Sequence, residues 1–197
     1  MAARQATGNI VERMVRAVEK VRVRLLRAAG ALDAAGVPYA IIGGHAVAAW
    51  VATVDEAAVR NTRDVDVLLE RHDLERARQA LERAGFAHRH SAGMELFLDG
   101  PGASARDAVH IIFAGEKVRP EYEAPAPHAA EAEQVAGGLR VLGLDALVRM
   151  KLTSFRRKDQ VHLLDLIEMG LVGEGDLAKL PPALAARLRE LLENPDT

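Results

Sequence analysis

The spacing of apolar and polar residues divides the chain into helical and extended stretches. Apolar residues recur every three or four positions over residues 7–29, which predicts an amphipathic helix that continues towards residue 35 and stops at Gly36. Helical spacing returns further along the chain at residues 45–52, 73–86, 144–152, 159–167 and 177–192. Short apolar or alternating runs predict strands at residues 39–42, 62–69, 94–99 and 107–113, and a hairpin of residues 133–136 and 139–142 around two glycines.

The composition excludes several classes of protein. A hydrophobic share of 49% with 27% charged residues is typical of a soluble globular chain, and 197 residues suffice for one compact domain with a helical appendage. The absence of cysteine excludes disulfides and thiolate metal sites. Because no apolar run approaches the roughly 20 residues of a membrane span and residues 1–13 lack a signal-peptide core, we expect a cytoplasmic protein without membrane contact.

The net charge of -2 argues against a protein that binds nucleic acid over its whole surface. A local basic patch is still compatible with this net charge. Several basic residues lie off the apolar stripe of the first helix and could form such a patch. These residues are Arg13, Arg16, Lys20, Arg24 and Arg27. They fit either a helix that contacts tRNA or an acidic partner, or a solvated charged face on a packing helix, and we favour the solvated face.

Two acidic residues lie on the strand predicted at residues 62–69. Asp64 and Asp66 are two positions apart, so their side chains point to one face, while Val65 and Val67 point to the other. Two carboxylates held side by side repel each other, and burying them without a partner is costly. Their oxygens suit a hard cation such as Mg²⁺, which is commonly bound by one or two carboxylates together with substrate phosphates.

Two glycines, Gly43 and Gly44, stand between the strand predicted at residues 39–42 and the helix that follows. Glycines at such a junction let the backbone approach a ligand closely, and the helix start directs free N–H groups and a positive dipole at an anion. Each motif alone is commonly a turn or a solvated strand edge. Together, a phosphate-binding element followed by a metal-binding strand indicates a nucleotide site.

The run Gly43-Gly44, a short helix and the strand Thr62-Arg63-Asp64-Val65-Asp66 resembles the signature of the minimal nucleotidyltransferases of the DNA polymerase β superfamily, which include AbiEii-type toxins. The resemblance runs from about residue 37 to 69 and resumes near residues 144–167. It implies an α/β (α+β) fold with a short mixed β-sheet flanked by helices and a helical C-terminal part. The corresponding divisions are residues 1–30, 31–142 and 143–197.

This resemblance implies a reaction in which a nucleoside monophosphate is transferred from an NTP to a hydroxyl, with release of pyrophosphate and with one or two Mg²⁺ ions. Asp64 and Asp66 would bind the metal. The residues implied in nucleotide binding are Gly43, Gly44, His45, Thr62, Arg63 and Lys151.

A third carboxylate is common in the superfamily on a neighbouring strand, and by position His110 stands there instead. Imidazole is a poor ligand for Mg²⁺, but it can act as a general base near neutral pH. His110 also fits a histidine that is hydrogen-bonded within the sheet. Asp107 and Glu95 are alternative carboxylates, although the odd offset of Asp107 from His110 places it on the opposite face of a regular strand.

The resemblance extends to a helix lysine, Lys151, followed by an Arg-x-(Arg/Lys)-Asp turn that ends at Asp159. Lys151 would neutralise triphosphate charge, and Asp159 would orient either that lysine or the turn. The structural alternatives are a surface lysine whose stem packs and a helix N-cap. We expect His162 to pack within or between helices. Arg60 could reach a triphosphate or form a salt bridge with Asp55 or Glu56.

The sequence leaves the acceptor open among tRNA, a small molecule such as an aminoglycoside, and a protein side chain. It leaves open a homodimer and a toxin role as well. The alternative from another class is a catalytically silent nucleotidyltransferase fold that binds a nucleotide or a protein, for which His110 in place of a carboxylate is the motivating feature.

Overall fold

A computed structural model describes residues 2–100, 102–135 and 137–194 of the chain. Its helices are α1 (Ala2–Ala34), α2 (Gly43–Ala52), α3 (Leu74–Arg83), α4 (Leu144–Ser154), α5 (Arg157–Glu168) and α6 (Pro182–Glu193). Its strands are β1 (Tyr39–Ile42), β2 (Val65–Leu69), β3 (Ala87–Ser91), β4 (Met94–Leu98), β5 (Ala108–Phe113), β6 (Ala132–Gln134) and β7 (Arg140–Leu142). None of the described helices is both long and apolar enough to cross a bilayer.

The strands form one mixed sheet with the order β3-β4-β5-β2-β1-β7-β6. β2 is parallel to β5 and β1 is parallel to β7, whereas the other neighbours are antiparallel. This mixed sheet with flanking helices confirms the predicted α/β fold class. The predicted division of the chain into residues 1–30, 31–142 and 143–197 stays a prediction. Residues 195–197 of the third part lie outside the described residues.

The centre of the sheet is formed by β1 and β2. All four residues of β1 are buried, and β2 is buried at every position except Asp66. Such nearly continuous apolar runs are typical of strands that are covered on both faces. Asp66 is therefore a half-exposed carboxylate within an otherwise apolar strand, and the sheet register places His110 of β5 directly beside it.

The helix α1 is anchored to the sheet by its C-terminal half. Leu25 and Leu32 are buried in the core, whereas Met14 is 65% exposed in the N-terminal half. Arg24, which we expected on a solvated face, is only 2% exposed, and its guanidinium donates to Asp99 at 3.1 Å and to Asp107 at 2.9 Å. The expectation was wrong for this residue because both carboxylates come from distant loops that the helix pattern does not reveal.

One strand escaped the sequence analysis. β3 carries His88, Arg89 and His90, which lack the alternation that predicts a strand, yet β3 pairs with β4 over its whole length. It forms an edge of the sheet, where polar side chains are common. The last helix is shorter than the predicted range of residues 177–192. A 3-10 helix (Glu174–Lys179) precedes Pro181 and Pro182, and α6 begins only at Pro182.

Candidate functional site

The two aspartates of the predicted motif line one cleft together with the glycine turn. Asp64 lies just before β2, Asp66 lies within it, and Gly43 begins α2. The cavity has a volume of about 530 Å³, which is within the usual range for small-molecule sites. Its walls also include residues of α4 and α5 and of the connection after β5. Both aspartates therefore line the cleft, but the prediction that Asp64 lies on the strand is wrong, because strand pairing begins only at Val65.

The glycines Gly43 and Gly44 are required by their neighbours in the fold. Gly43 has a φ of +70°, and a Cβ added to it would lie 2.3 Å from Oδ2 of Asp66. A Cβ on Gly44 would lie 2.8 Å from the hydroxyl oxygen of Thr62. Both glycines therefore make room for side chains of the Asp-containing strand segment, a reason that differs from the ligand approach expected from the sequence.

The start of α2 is open to a ligand. Its N-cap residue is Ile42, whose apolar side chain makes no capping hydrogen bond to the first turn. Backbone N–H groups at a helix start need an acceptor, and an anion can supply it. His45 lies in this first turn, where burial lowers its pKa. Its Nε2 atom is buried and has no hydrogen-bond partner among the described residues.

His110 forms hydrogen bonds through both ring nitrogens. Its Nδ1 lies 3.2 Å from Oδ1 of Asp66, and its Nε2 lies 3.3 Å from the carbonyl oxygen of Ala105. Because a carbonyl can only accept, Nε2 carries a proton. The hydrogen bond to Asp66 raises the pKa of His110. An ionised Asp66 can also only accept, so a hydrogen bond to it requires a proton on Nδ1 as well. With both protons the imidazolium compensates the charge of Asp66, and it can act as a base only after it has lost one of these protons.

The alternative carboxylates have other partners. Asp107 accepts the hydrogen bond from Arg24, as described above. Glu95 lies within hydrogen-bond distance of His88 and His90, at 2.7 and 2.8 Å. In the sheet register Leu96, not Glu95, stands opposite His110, so Glu95 points to the other face. His110 is thus the titratable residue of β5 that lies beside Asp66.

The donor set of the cleft suits a hard cation. Asp64 and Asp66 present carboxylate oxygens, which Mg²⁺ prefers, and the side chains are 50% and 24% exposed. Among the described residues, no group of three or more His, Asp or Glu side chains could hold a metal ion. Mg²⁺ would therefore take its remaining ligands from water and from the phosphates of a substrate, as it commonly does.

A second cluster lies on the helical wall of the cleft. Lys151 is 4% exposed, and its Nζ donates to Oδ1 of Asp159 at 3.0 Å and lies 2.9 Å from Nδ1 of His162. Asp159 is fully buried and also accepts from Ser154 at 2.8 Å and from Nε of Arg156 at 2.7 Å. Asp159 therefore lies in the first turn of α5 and pairs with Lys151, as the resemblance implied.

The pKa shifts in this cluster follow from burial and from the number of partners. Burial alone would raise the pKa of Asp159, but the hydrogen bond from Arg156 and the charge of Lys151 lower it to about 2. Burial lowers the pKa of Lys151, because the carboxylates of Asp159 and Asp66 offset only part of the desolvation. Burial and the charge of Lys151 lower the pKa of His162 to about 4.

Several predicted residues have partners that the sequence did not specify. His162, which we expected to pack within or between helices, contacts Lys151 of α4 from α5. Arg60 pairs with Asp165 at 2.8 Å, and not with Asp55 or Glu56, because the loop before β2 lies against α5. Of the residues predicted to bind the nucleotide, Gly43 and Lys151 line the cleft, whereas the others lie outside its lining: Gly44, His45, Thr62 and the exposed Arg63.

The cleft also contains residues that the sequence did not identify as part of the site. Ser154, Arg156 and Lys158 line the cavity, and Nζ of Lys158 lies 4.0 Å from Oδ2 of Asp64. The basic turn between α4 and α5 was the available signal for two of them. Nothing in the local pattern distinguishes Ser154 from an ordinary helix-end serine.

Three solved structures are similar in fold. The antibiotic-resistance factor ANT(2'')-Ia in solution is 16% identical with a TM-score of 0.57 over 85% of this chain and 90% of that chain. A crystal structure of ANT(2")-Ia with adenylyl-2"-tobramycin is 18% identical with a TM-score of 0.53 over 83% and 94%. An antigenic nucleotidyltransferase-like protein from Paracoccidioides brasiliensis is 21% identical with a TM-score of 0.53 over 90% and 88%.

No curated protein shows significant sequence similarity to the chain. A family model does match, over residues 6–142, and its description is "Uncharacterised nucleotidyltransferase". The match spans α1, the whole sheet and both aspartates, so it covers the residues that line the sheet side of the cleft. The chain therefore belongs to this nucleotidyltransferase family.

Proposed function

We propose that the chain transfers a nucleoside monophosphate from an NTP to a hydroxyl acceptor and releases pyrophosphate, in a reaction that depends on Mg²⁺. One observation carries this proposal: Asp64, Asp66 and the start of α2 share a cleft with a wall of cationic side chains. Carboxylates for a metal and cations for a triphosphate are the two features that phosphoryl-type transfer requires.

Asp64 and Asp66 are the residues that would hold Mg²⁺, and the bound ion would neutralise charge that develops on the phosphates. His110 is the proposed third catalytic group, because its contact with Oδ1 fixes the carboxylate of Asp66. Gly43 permits that position, since any side chain there would collide with Oδ2. The sheet thus provides one carboxylate, that of Asp66, whose position is supported by His110 before substrate binds.

Lys151, Arg156 and Lys158 form the cationic wall. They would bind the β- and γ-phosphates together with the free N–H groups at the start of α2. In the transfer, the acceptor oxygen forms a bond to the α-phosphorus while the bond from that phosphorus to the pyrophosphate oxygen breaks. The hydroxyl proton leaves to water, or to Nδ1 of His110 when that nitrogen is deprotonated before the transfer.

The proposal specifies the acceptor only as a molecule that carries a hydroxyl group. An aminoglycoside is a candidate because the neighbour ANT(2")-Ia was solved with an adenylylated tobramycin. The alternative acceptors are tRNA, which an AbiEii-like toxin would use, and a protein side chain. The six basic and four acidic side chains of the cleft favour an acceptor that is not strongly cationic. The basic ones are Arg71, Lys117, Arg119, Lys151, Arg156 and Lys158, and the acidic ones are Asp64, Asp66, Glu116 and Asp159.

A catalytically silent nucleotide-binding module is the second candidate. The observation that favours it is His110, which stands in place of a carboxylate and has both nitrogens engaged. Calorimetry with a non-hydrolysable ATP analogue and magnesium, beside an assay for pyrophosphate release, separates the two functions. Binding without release in the presence of every acceptor class would support the silent module.

The direct test measures incorporation of labelled NMP with magnesium into a mixture of tRNA, aminoglycosides and protein. We expect Asp66→Ala to lower incorporation at least about a hundredfold, because the transition-state charge loses its main support. Asp145→Ala is the control, since Asp145 is a 64% exposed carboxylate that does not line the cleft. Equal labelling by the wild type and Asp66→Ala would refute the assignment.

A further inference from the structure

The ammonium group of Lys151 has three N–H donors and, among the residues that the structure describes, two hydrogen-bond partners. Oδ1 of Asp159 accepts one hydrogen bond at 3.0 Å, and Nδ1 of His162 lies 2.9 Å from the same Nζ. Because Lys151 also lines the cleft, its third donor is available to a bound ligand. The direction of that donor is fixed only while both partners hold the other two.

The contact with His162 defines the state of its imidazole ring. A lysine Nζ donates and does not accept, so Nδ1 of His162 must present its lone pair and the proton must lie on Nε2. A neutral ring is consistent with its surroundings, because burial and the charge of Lys151 lower the pKa of His162 to about 4. His162 therefore serves as an uncharged acceptor at neutral pH.

The helix α5 supplies both partners from one face. Asp159 and His162 are three positions apart, a spacing that places side chains next to each other on a helix, and Lys151 reaches them from α4. The charged side chains around the pair are Arg156 and Lys158 of α5 and Asp66 of β2. An acidic side chain in place of His162 would add negative charge beside the site of a triphosphate, whereas a neutral ring adds none.

We propose that His162 is a positioning residue that holds the ammonium of Lys151 with its free N–H directed at the triphosphate. This inference rests on the proposed function, because it needs a phosphate ligand in the cleft. Asp159 alone would leave the ammonium free to turn towards its carboxylate and away from the ligand. His162 removes that freedom without neutralising the charge that the phosphate requires.

The test compares two substitutions at this position. His162→Leu retains the apolar bulk but has no acceptor, whereas His162→Asn places its Oδ1 close to the position of Nδ1 and can accept from Lys151. Calorimetry measures the affinity of each variant for a non-hydrolysable ATP analogue with magnesium, and thermal unfolding measures stability. We expect roughly tenfold weaker binding for His162→Leu and binding within about threefold of the wild type for His162→Asn.

A purely structural role gives a different result. In that case both variants would lose thermal stability while the folded protein kept wild-type affinity, and this outcome would overturn the proposal. Equal weakening by Leu and Asn would also overturn it, because the acceptor atom would then be irrelevant. If His162→Leu does not fold, His162→Asn compared with His162→Ala gives the same contrast. Failure of the wild type to bind the analogue would overturn the proposed function, and with it this role.

Discussion

Replacing Asp159 with alanine removes the carboxylate that compensates the buried ammonium of Lys151. Asp159 is fully buried and accepts hydrogen bonds from Lys151, Ser154 and Arg156, so its loss leaves three donors without this acceptor. Removing one partner of a buried ion pair costs about 3–5 kcal/mol. Because the pKa of Lys151 is already lowered by burial, deprotonation offers partial relief. We therefore expect the lower end, a loss of about 3 kcal/mol in the free energy of unfolding.

For a chain of this length, about 3 kcal/mol corresponds to a fall in Tm of roughly 6–12 °C. Urea unfolding followed by circular dichroism gives the free energy, and differential scanning calorimetry gives the Tm. The double variant Lys151→Met with Asp159→Ala is the informative comparison, because removal of both charges is commonly close to neutral. It should recover at least about half of the loss.

Two outcomes would refute this reasoning. A loss below about 1 kcal/mol for Asp159→Ala would mean that the ammonium does not depend on this carboxylate. A double variant that is no more stable than Asp159→Ala would mean that the cost comes from the cavity or from the first turn of α5, and not from the unpaired charge. Asp145→Ala serves as the exposed control, with an expected change of at most about 0.5 kcal/mol.

Two further predictions concern the same cleft. Gly43→Ala should cost more stability than Gly36→Ala. Both glycines have a left-handed φ, +70° and +62°, at which an alanine costs about 1–2 kcal/mol. A Cβ at Gly43 would also lie 2.3 Å from Oδ2 of Asp66, whereas a Cβ at Gly36 would lie 3.9 Å from its nearest neighbour, Nη2 of Arg76. Urea unfolding checks the order, which equal losses would contradict, and NMP transfer should be lost only in Gly43→Ala. The third perturbation is acid. Because the pKa of Asp159 is lowered from 3.8 to about 2, its ionised form stabilises the fold fully above pH 3.8, and this stabilisation is lost as the pH falls to about 2. Over that window the free energy of unfolding of the wild type should fall by about 2 kcal/mol more than that of Asp159→Asn. Parallel pH–stability curves for these two proteins would contradict that assignment.

The sheet side of the cleft could be predicted because its cause is local. The two-residue period of β2 sets the direction of Asp66, whereas Asp64 precedes the strand and its direction does not follow from that period. An apolar strand next to two glycines marks the junction of β1 and α2. The mixed sheet could be predicted for the same reason, and the structure confirms it. The motif itself specifies a strand, a turn and a helix in a fixed order.

The helical side could not be predicted to the same depth, because its contacts depend on how separate elements pack. His162 meets Lys151 only because α4 and α5 lie against each other, and the same sequence pattern would fit an exposed histidine. Arg24 reaches Asp99 and Asp107 across 75 and 83 positions of the chain. Such long-range pairs leave no periodic trace in the sequence.

The buried guanidinium of Arg24 connects the first helix to the cleft through a single 3-10 turn. Asp107, which it holds, ends the 3-10 turn of residues 105–107, and the carbonyl of Ala105 in that turn accepts the hydrogen bond from His110. A disturbance of α1 would therefore be transmitted to the imidazole that steadies Asp66. The first helix is in this sense a mechanical support of the cleft, and shortening it past Arg24 would loosen the carboxylate of Asp66, which it does not contact.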